Sequence, residues 1–123
     1  MKIKEIGLSW ITVSDYAKSK KFFADLGLEM SSDSADFGWA EFKGEAGAAL
    51  GIAQENPQYG TTKAGTNAVV TFTIEDIVAA KKELESKGVK FLGDIMEVPG
   101  HVKLATFVDH DNNQFQLAQV LGE

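Results

Sequence analysis

The chain has 123 residues, 44% apolar and 24% charged, the size and composition of one compact globular domain rather than a disordered or fibrous chain. It carries a formal charge of −6 and no cysteine, and all of its cations are lysine, which excludes disulfides, thiolate metal sites, a cysteine nucleophile and the forked guanidinium contact to carboxylate or phosphate. An acidic chain repels nucleic-acid backbones, no apolar run is long enough for a membrane span, and the charged start Met1–Ile6 does not suit a signal peptide, so we expect a cytoplasmic protein with neither nucleic acid nor membrane as partner.

In chain order, Gly7–Val13 is rich in strand formers. Asp15 then stands where a carboxylate can accept the first orphan amides of a helix. Tyr16, Ser19, Phe23 and Leu26 follow at helical spacing, and Gly27 suits the left-handed position that ends a helix. Three short strands are expected next. The polar stretch Gln54–Thr66, holding Pro57, Gly60 and Gly65, reads as a linker or flap. Ala68–Ile74 is again strand-forming, Asp76 again a cap, and Ile77, Ala80 and Leu84 again helical in spacing, closed by Gly88. Three more strands complete the chain. Asp111-Asn112-Asn113 forms the turn before the last of them, Gln114–Val120, because asparagine tolerates positive φ.

The second half therefore repeats the first. Leu8–Met30 lies over Val69–Phe91 at an offset of 61 residues, which aligns Thr12 with Thr73, Asp15 with Asp76 and Gly27 with Gly88. Further on the offset is 65, aligning Phe42 with Phe107, Leu50 with Phe115, and Ala53-Gln54 with Ala118-Gln119. The second copy has gained residues between its helix and its last hairpin. Each copy reads as strand, helix, three strands: an α+β chain with a first module at about 1–54, a linker at 55–66 and a second module at about 67–123.

Two βαβββ copies in this length resemble the vicinal-oxygen-chelate superfamily of glyoxalases, bleomycin-resistance proteins and extradiol dioxygenases. The resemblance is carried by Trp10-Ile-Thr-Val-Ser-Asp15 leading into a helix that ends Leu26-Gly27-Leu28. It is carried also by Phe107-Val-Asp-His-Asp-Asn-Asn113 followed by Phe115-Gln-Leu117. The latter is similar to the family's Phe-x-Asp-Pro-x-Gly-Asn turn, with His110 in the proline place and Asn112 in the glycine place. The resemblance implies one domain whose modules form an open, cup-shaped, mostly antiparallel sheet with helices outside and a ligand in the cup. It also implies metal ligands at the first and last strand of each module. Those places are Leu8, Gly51, Val69 and Gln116 here. None is an imidazole or carboxylate, so we expect no metal and no other cofactor.

Side chains alternate across a strand. If Leu8 faces the cup, so do Trp10, Thr12, Ala49, Gly51 and Ala53, and in the second module Val69, Thr71, Thr73, Gln114, Gln116 and Ala118. Their neighbours Ile11, Val13, Leu50, Ile52, Phe72, Ile74, Phe115 and Leu117 are uniformly apolar and suit the helix side. With Phe42 and Phe107 also on the helix side, Phe37, Trp39 and Glu41 point inward, opposite Val102, Leu104 and Thr106. The candidate ligand-binding set is Trp10, Thr12, Trp39, Thr71, Thr73 and Gln116, with Glu41 as a candidate general base whose pKa burial would raise. Each also has a plain structural reading. Trp10 and Trp39 suit a core or a dimer interface, Glu41 a solvated strand, and Gln116 a bond to backbone.

Two functions follow. A neutral wall of aromatics, hydroxyls and amides suits a protein that binds a small neutral or cationic aromatic molecule. Alternatively, Glu41 serves a metal-independent isomerase or lyase. A homodimer is expected in either case, since an open cup leaves strand edges and apolar surface to cover.

Overall fold

The computed structural model describes residues 2, 8–59, 61–66 and 69–121. Gly7 and Ala68, at the starts of the two expected leading strands, and Gly60 of the linker lie outside them. The chain divides into two compact units, Met1–Asn67 and Ala68–Glu123.

In the first unit, strand β1 (Leu8–Val13) leads to helix α1 (Tyr16–Leu26), then β2 (Glu29–Ser34), β3 (Trp39–Lys43) and β4 (Ala49–Gln54). The sheet order is β1-β4-β3-β2, with β1 parallel to β4 and the other pairs antiparallel. The Asp15 carboxylate caps α1 by accepting the Lys18 amide, and Gly27, at φ 105°, closes it. A left-handed residue there satisfies the orphan carbonyls of the last turn. Ile11, Val13, Ala40, Phe42, Leu50 and Ile52 all face α1 and are buried, and Phe23 of the helix meets Phe42 at a ring distance of 5.6 Å.

The second unit repeats the plan. Strand β5 (Val70–Thr73), helix α2 (Ile77–Ser86), and strands β6 (Lys90–Phe91), β7 (Met96–Val98), β8 (Val102–Val108) and β9 (Gln114–Val120) make a five-stranded sheet of order β5-β9-β8-β6. Strand β7 pairs with β8 beyond the end of β6. The edge strand is thus split where residues 92–95 intervene. Here too the first and last strands run parallel, β5 with β9. The core is aromatic: Phe107 lies 5.6 Å from Phe115, 6.3 Å from Phe72 and 5.4 Å from Phe91. Burying each such side chain fully is worth roughly 1.5–3 kcal/mol over leaving it exposed.

The two offsets of the sequence repeat coincide with the strand registers. Trp10 pairs Gly51 as Thr71 pairs Gln116, Thr12 pairs Ala53 as Thr73 pairs Ala118, and Glu41 pairs Gly51 as Thr106 pairs Gln116. The repeated Ala-Gln identity also has a structural cause. Gln54 Oε1 accepts the Tyr16 amide at 2.9 Å and Gln119 Oε1 accepts the Ile77 amide at 2.9 Å, the first amide of each helix. Each glutamine thereby ties the end of its module's last strand to the start of its helix, satisfying a donor that has no partner inside the helix.

Candidate functional site

In each unit one sheet face is covered by the helix. The other carries the candidate residues. On β1 and β3 of the first unit, Trp10 and Trp39 stand on that open face with ring centroids 6.3 Å apart and planes tilted by 60°. Trp10 is 39% exposed and Trp39 half-buried. Between them lies Gly51 of β4. A Cβ there would come within 2.6 Å of Trp39 Cζ2 and 3.1 Å of Trp10 Cβ. The missing side chain is therefore what lets the Trp39 indole lie down on the strand. A glycine inside a strand often marks such a close approach, and this was the signal in the sequence for Gly51's role.

Glu41 shares the face, two residues along β3, and is half-buried. Its Oε2 accepts the Trp39 indole N–H at 2.9 Å. Ser32 of β2 pairs Glu41 directly, so its hydroxyl is on the same side. The expected parity of the third strand holds for Trp39, Glu41 and Phe42. It does not hold for Phe37, which stands outside β3 in a 3-10 turn (Ala35–Phe37) and is 68% exposed. Gly38, at φ 65°, ends that turn and breaks the alternation.

Thr12 is on the open face but wholly buried. The segment after β4 folds back over it, and the Thr12 and Thr62 hydroxyls meet at 2.8 Å. That segment is internally bonded: the Asn56 amide reaches Thr61 Oγ1 at 2.8 Å, the Ala64 amide reaches Glu55 Oε1 at 2.7 Å, and the Glu55 amide reaches the Val13 carbonyl at 2.8 Å. The polar composition of residues 54–66 hid this, because its partners are backbone groups and hydroxyls with no sequence signature.

Behind the site, the Tyr16 hydroxyl donates to Asp33 and to the Trp39 carbonyl, the latter at 2.9 Å. Lys20 Nζ pairs Asp33 at 3.1 Å and lies 4.7 Å from the Tyr16 ring centroid. Burial, then the bond to Asp33, raises the Tyr16 pKa well above its ordinary range. The Tyr16 bond, then the Lys20 bond, lowers that of Asp33. Helical spacing pointed to Tyr16 only as a packing residue.

On the open face of the second unit the Thr71 hydroxyl donates to Gln116 Oε1 at 3.2 Å. Thr106 pairs Gln116 from the other side, and Thr73 is exposed one repeat along β5. These are neutral hydrogen-bonding groups, with the Gln116 amide nitrogen as donor. His110 is in the turn after β8, 3.6 Å from Asp111, and takes no part in this face.

The places where the family's ligands would stand do not suit a divalent ion. Leu8 and Val69 are apolar, the Gly51 place is filled by an indole, and Gln116 offers one neutral amide. Among the described residues no three histidine, aspartate or glutamate side chains come together as a metal-binding group. Nor is any described helix long and apolar enough to cross a membrane.

The repeated modules and these faces define the fold class, and comparison with known proteins agrees. Residues 2–117 match the Glyoxalase/Bleomycin resistance protein/Dioxygenase superfamily, and the chain belongs to that family. It is 30% identical to the uncharacterized protein YetH of Bacillus subtilis (strain 168), over 95% of this chain and 99% of that one. A superfamily member from Sphaerobacter thermophilus superposes with a TM-score of 0.79 at 25% identity, covering 95% of this chain and 98% of the other. TnmS3, an antibiotic binding protein from Streptomyces sp. CB03234, superposes with a TM-score of 0.79 at 24% identity over 98% of each chain.

Proposed function

We propose that this chain is a metal-independent binding protein for a small organic molecule, flat or hydrophobic and neutral or cationic. The observation that carries the reading is the Trp39 indole lying on Gly51, with Trp10 beside it. An aromatic platform occupies the place where the family's chemistry would put a metal ligand. The open face of the second sheet, taken by itself, offers Thr71, Thr73 and Gln116 as hydrogen-bonding groups, while in the first unit Thr12 would take part only if Thr62 moved away. The antibiotic-binding role in the name of TnmS3 agrees with the reading. Exposed Met96, Val98 and Val120 of the second unit favour a homodimer, which sedimentation at micromolar concentration would reject by giving monomer mass alone.

Binding should quench or shift tryptophan fluorescence and raise the melting temperature. Trp10→Ala should cost roughly 2–4 kcal/mol of binding if the ring is a central contact. Elemental analysis should find no stoichiometric transition metal, and a chelator should leave the melting temperature unchanged. About one zinc, nickel or iron per chain, lost together with stability or activity, would reject the metal-independent reading.

A second reading is favoured by one observation, the half-buried Glu41 carboxylate held by an indole N–H on the same face. There the protein is a metal-independent isomerase or lyase with Glu41 as base. Glu41→Gln would then lower turnover by a factor of about 10²–10⁴ while binding survives. In a pure binder the same change alters affinity at most.

A further inference from the structure

We infer that the Trp10–Trp39–Glu41 corner of the first sheet is a subsite for a weakly hydrated organic cation, a quaternary or ring-delocalised nitrogen; this rests on the binding reading above and narrows it. The Glu41 carboxylate is half-buried, yet it makes no ion pair with any described residue, whereas Asp33 on the neighbouring strand β2 is paired with Lys20. Lys43, two residues along the same side of β3, stays beyond ion-pair distance. A carboxylate partly withdrawn from water and left without a cation is a feature that ordinary folding disfavours. Its one side-chain bond, 2.9 Å from the Trp39 N–H, uses one oxygen and leaves the other.

That same bond orients the ring. The positive edge of the indole points at the carboxylate, its ring lies over Gly51, and Trp10 stands beside it at a 60° tilt with centroids 6.3 Å away. Cations are attracted to indole faces, most strongly when they surrender little hydration. Gly51 allows the platform by leaving no Cβ beneath Trp39, and the overall charge of −6 favours cation approach. The register-equivalent positions of the second sheet, Thr71, Leu104 and Thr106, carry neither ring nor charge, so the subsite belongs to the first unit alone.

The test uses a matched pair of flat probes, N-methylacridinium and acridine, titrated calorimetrically into the whole protein at a pH where acridine is neutral. Wild type should bind the cation about tenfold more tightly than acridine, the scale of one cation–ring contact plus one screened charge, and added salt should shrink the ratio. Glu41→Gln keeps an acceptor for the indole N–H. It removes only the charge, so the ratio should fall to about threefold, the ring contact alone, with the loss falling on the cation. Equal affinity of wild type for both probes overturns this inference and leaves the binding reading standing. An undiminished preference in Glu41→Gln also overturns it, because the carboxylate then takes no part in holding the cation. If neither probe binds the folded wild type, the inference falls together with the binding reading.

Discussion

Where the first sheet carries the indole of Trp10, the second carries, at the same register position, the hydroxyl of Thr71. Trp39 answers to Leu104, Glu41 to Thr106, and Gly51 to Gln116. The helix-facing positions show no such contrast: Phe42 and Phe107, Leu50 and Phe115, Ile52 and Leu117 are apolar and buried in both. One face of each sheet must exclude water, so its chemistry is fixed by packing. The other face is free to differ, and it differs in the direction of rings and charge in one module, hydroxyls and amides in the other. The two modules therefore diverge on their open faces, and the proposed binding function would draw on the first more than on the second.

The most direct way to break that contrast is to give the first sheet a side chain where it has none. In Gly51→Val the new Cβ would sit within 2.6 Å of Trp39 Cζ2, so the ring must leave the strand. Overpacking of this kind costs roughly 1–3 kcal/mol, and ligand affinity should fall with the displaced platform. The reverse change in the second sheet, Gln116→Gly, removes only a bond to an exposed threonine and should cost less, about 1 kcal/mol. Tryptophan fluorescence and chemical denaturation of both variants provide the measurement. Unchanged emission and stability in Gly51→Val would mean that Trp39 does not rest on β4.

Next in size is the support beneath the platform. Tyr16 in α1 ties Asp33 and the Trp39 carbonyl together, whereas its counterpart Ile77 in α2 is a buried apolar residue. Tyr16→Phe should cost about 0.5–1.5 kcal/mol, toward the low end because the Asp33 arm is open to solvent. The pH dependence follows from the two shifts. Tyr16 is raised from 10.0, so its contribution is complete below about pH 10 and is lost as pH rises further. Asp33 is lowered from 3.8, so its contribution is complete above about pH 4 and is lost as pH falls through its folded value. The stability difference between wild type and Tyr16→Phe should therefore be widest between these limits and narrow on either side. A pH-independent difference would show that the hydroxyl does not engage a titrating partner.

Most of the architecture could be read from the sequence because it rests on local or periodic causes. Asp15 and Asp76 cap helices, Gly27 ends one, and the offsets of 61 and 65 became strand registers because equal spacing within each copy imposes equal pairing. That Trp39 and Glu41 share the face of β3 opposite Phe42 followed by alternation alone. The misplacement of Phe37 came from extending that alternation past Gly38, where a left-handed residue ends it. The fold-back of Thr62 onto Thr12, and the Tyr16–Asp33–Trp39 support, join residues far apart in sequence through single hydroxyl bonds. No periodicity records such contacts. The Ala-Gln identity shared by the copies was visible, but its cause, an amide acceptor for each helix start, was evident only in three dimensions.

The last contrast is between the turns that join the last two strands of each module, and the smallest effect of all is expected at Asn112. Both span five residues, 44–48 and 109–113, and at offset 65 both place a left-handed residue at the same point: Gly47 at φ 89° and Asn112 at φ 63°. The first turn takes its left-handed residue from Gly47, and a Cβ there would touch nothing within 4 Å. Replacement there tests the backbone alone, and Gly47→Ala should cost about 1–2 kcal/mol for forcing an ordinary residue into the left-handed region. The second turn is held by a side chain instead. The Asp109 carboxylate is buried and accepts the Asp111 amide, the Asn113 amide and the Asn113 side-chain nitrogen, each at 2.9 Å. With the loop fixed in this way, Asn112 need only tolerate its φ, which asparagine does better than most residues. Asn112→Gly relieves the remaining strain but loosens the unfolded chain, and these opposing terms should leave the stability within about 0.5 kcal/mol of wild type. Denaturant midpoints at unchanged slope measure both variants. A loss above about 1 kcal/mol in Asn112→Gly would mean that the asparagine side chain, and not its backbone tolerance, holds the second turn.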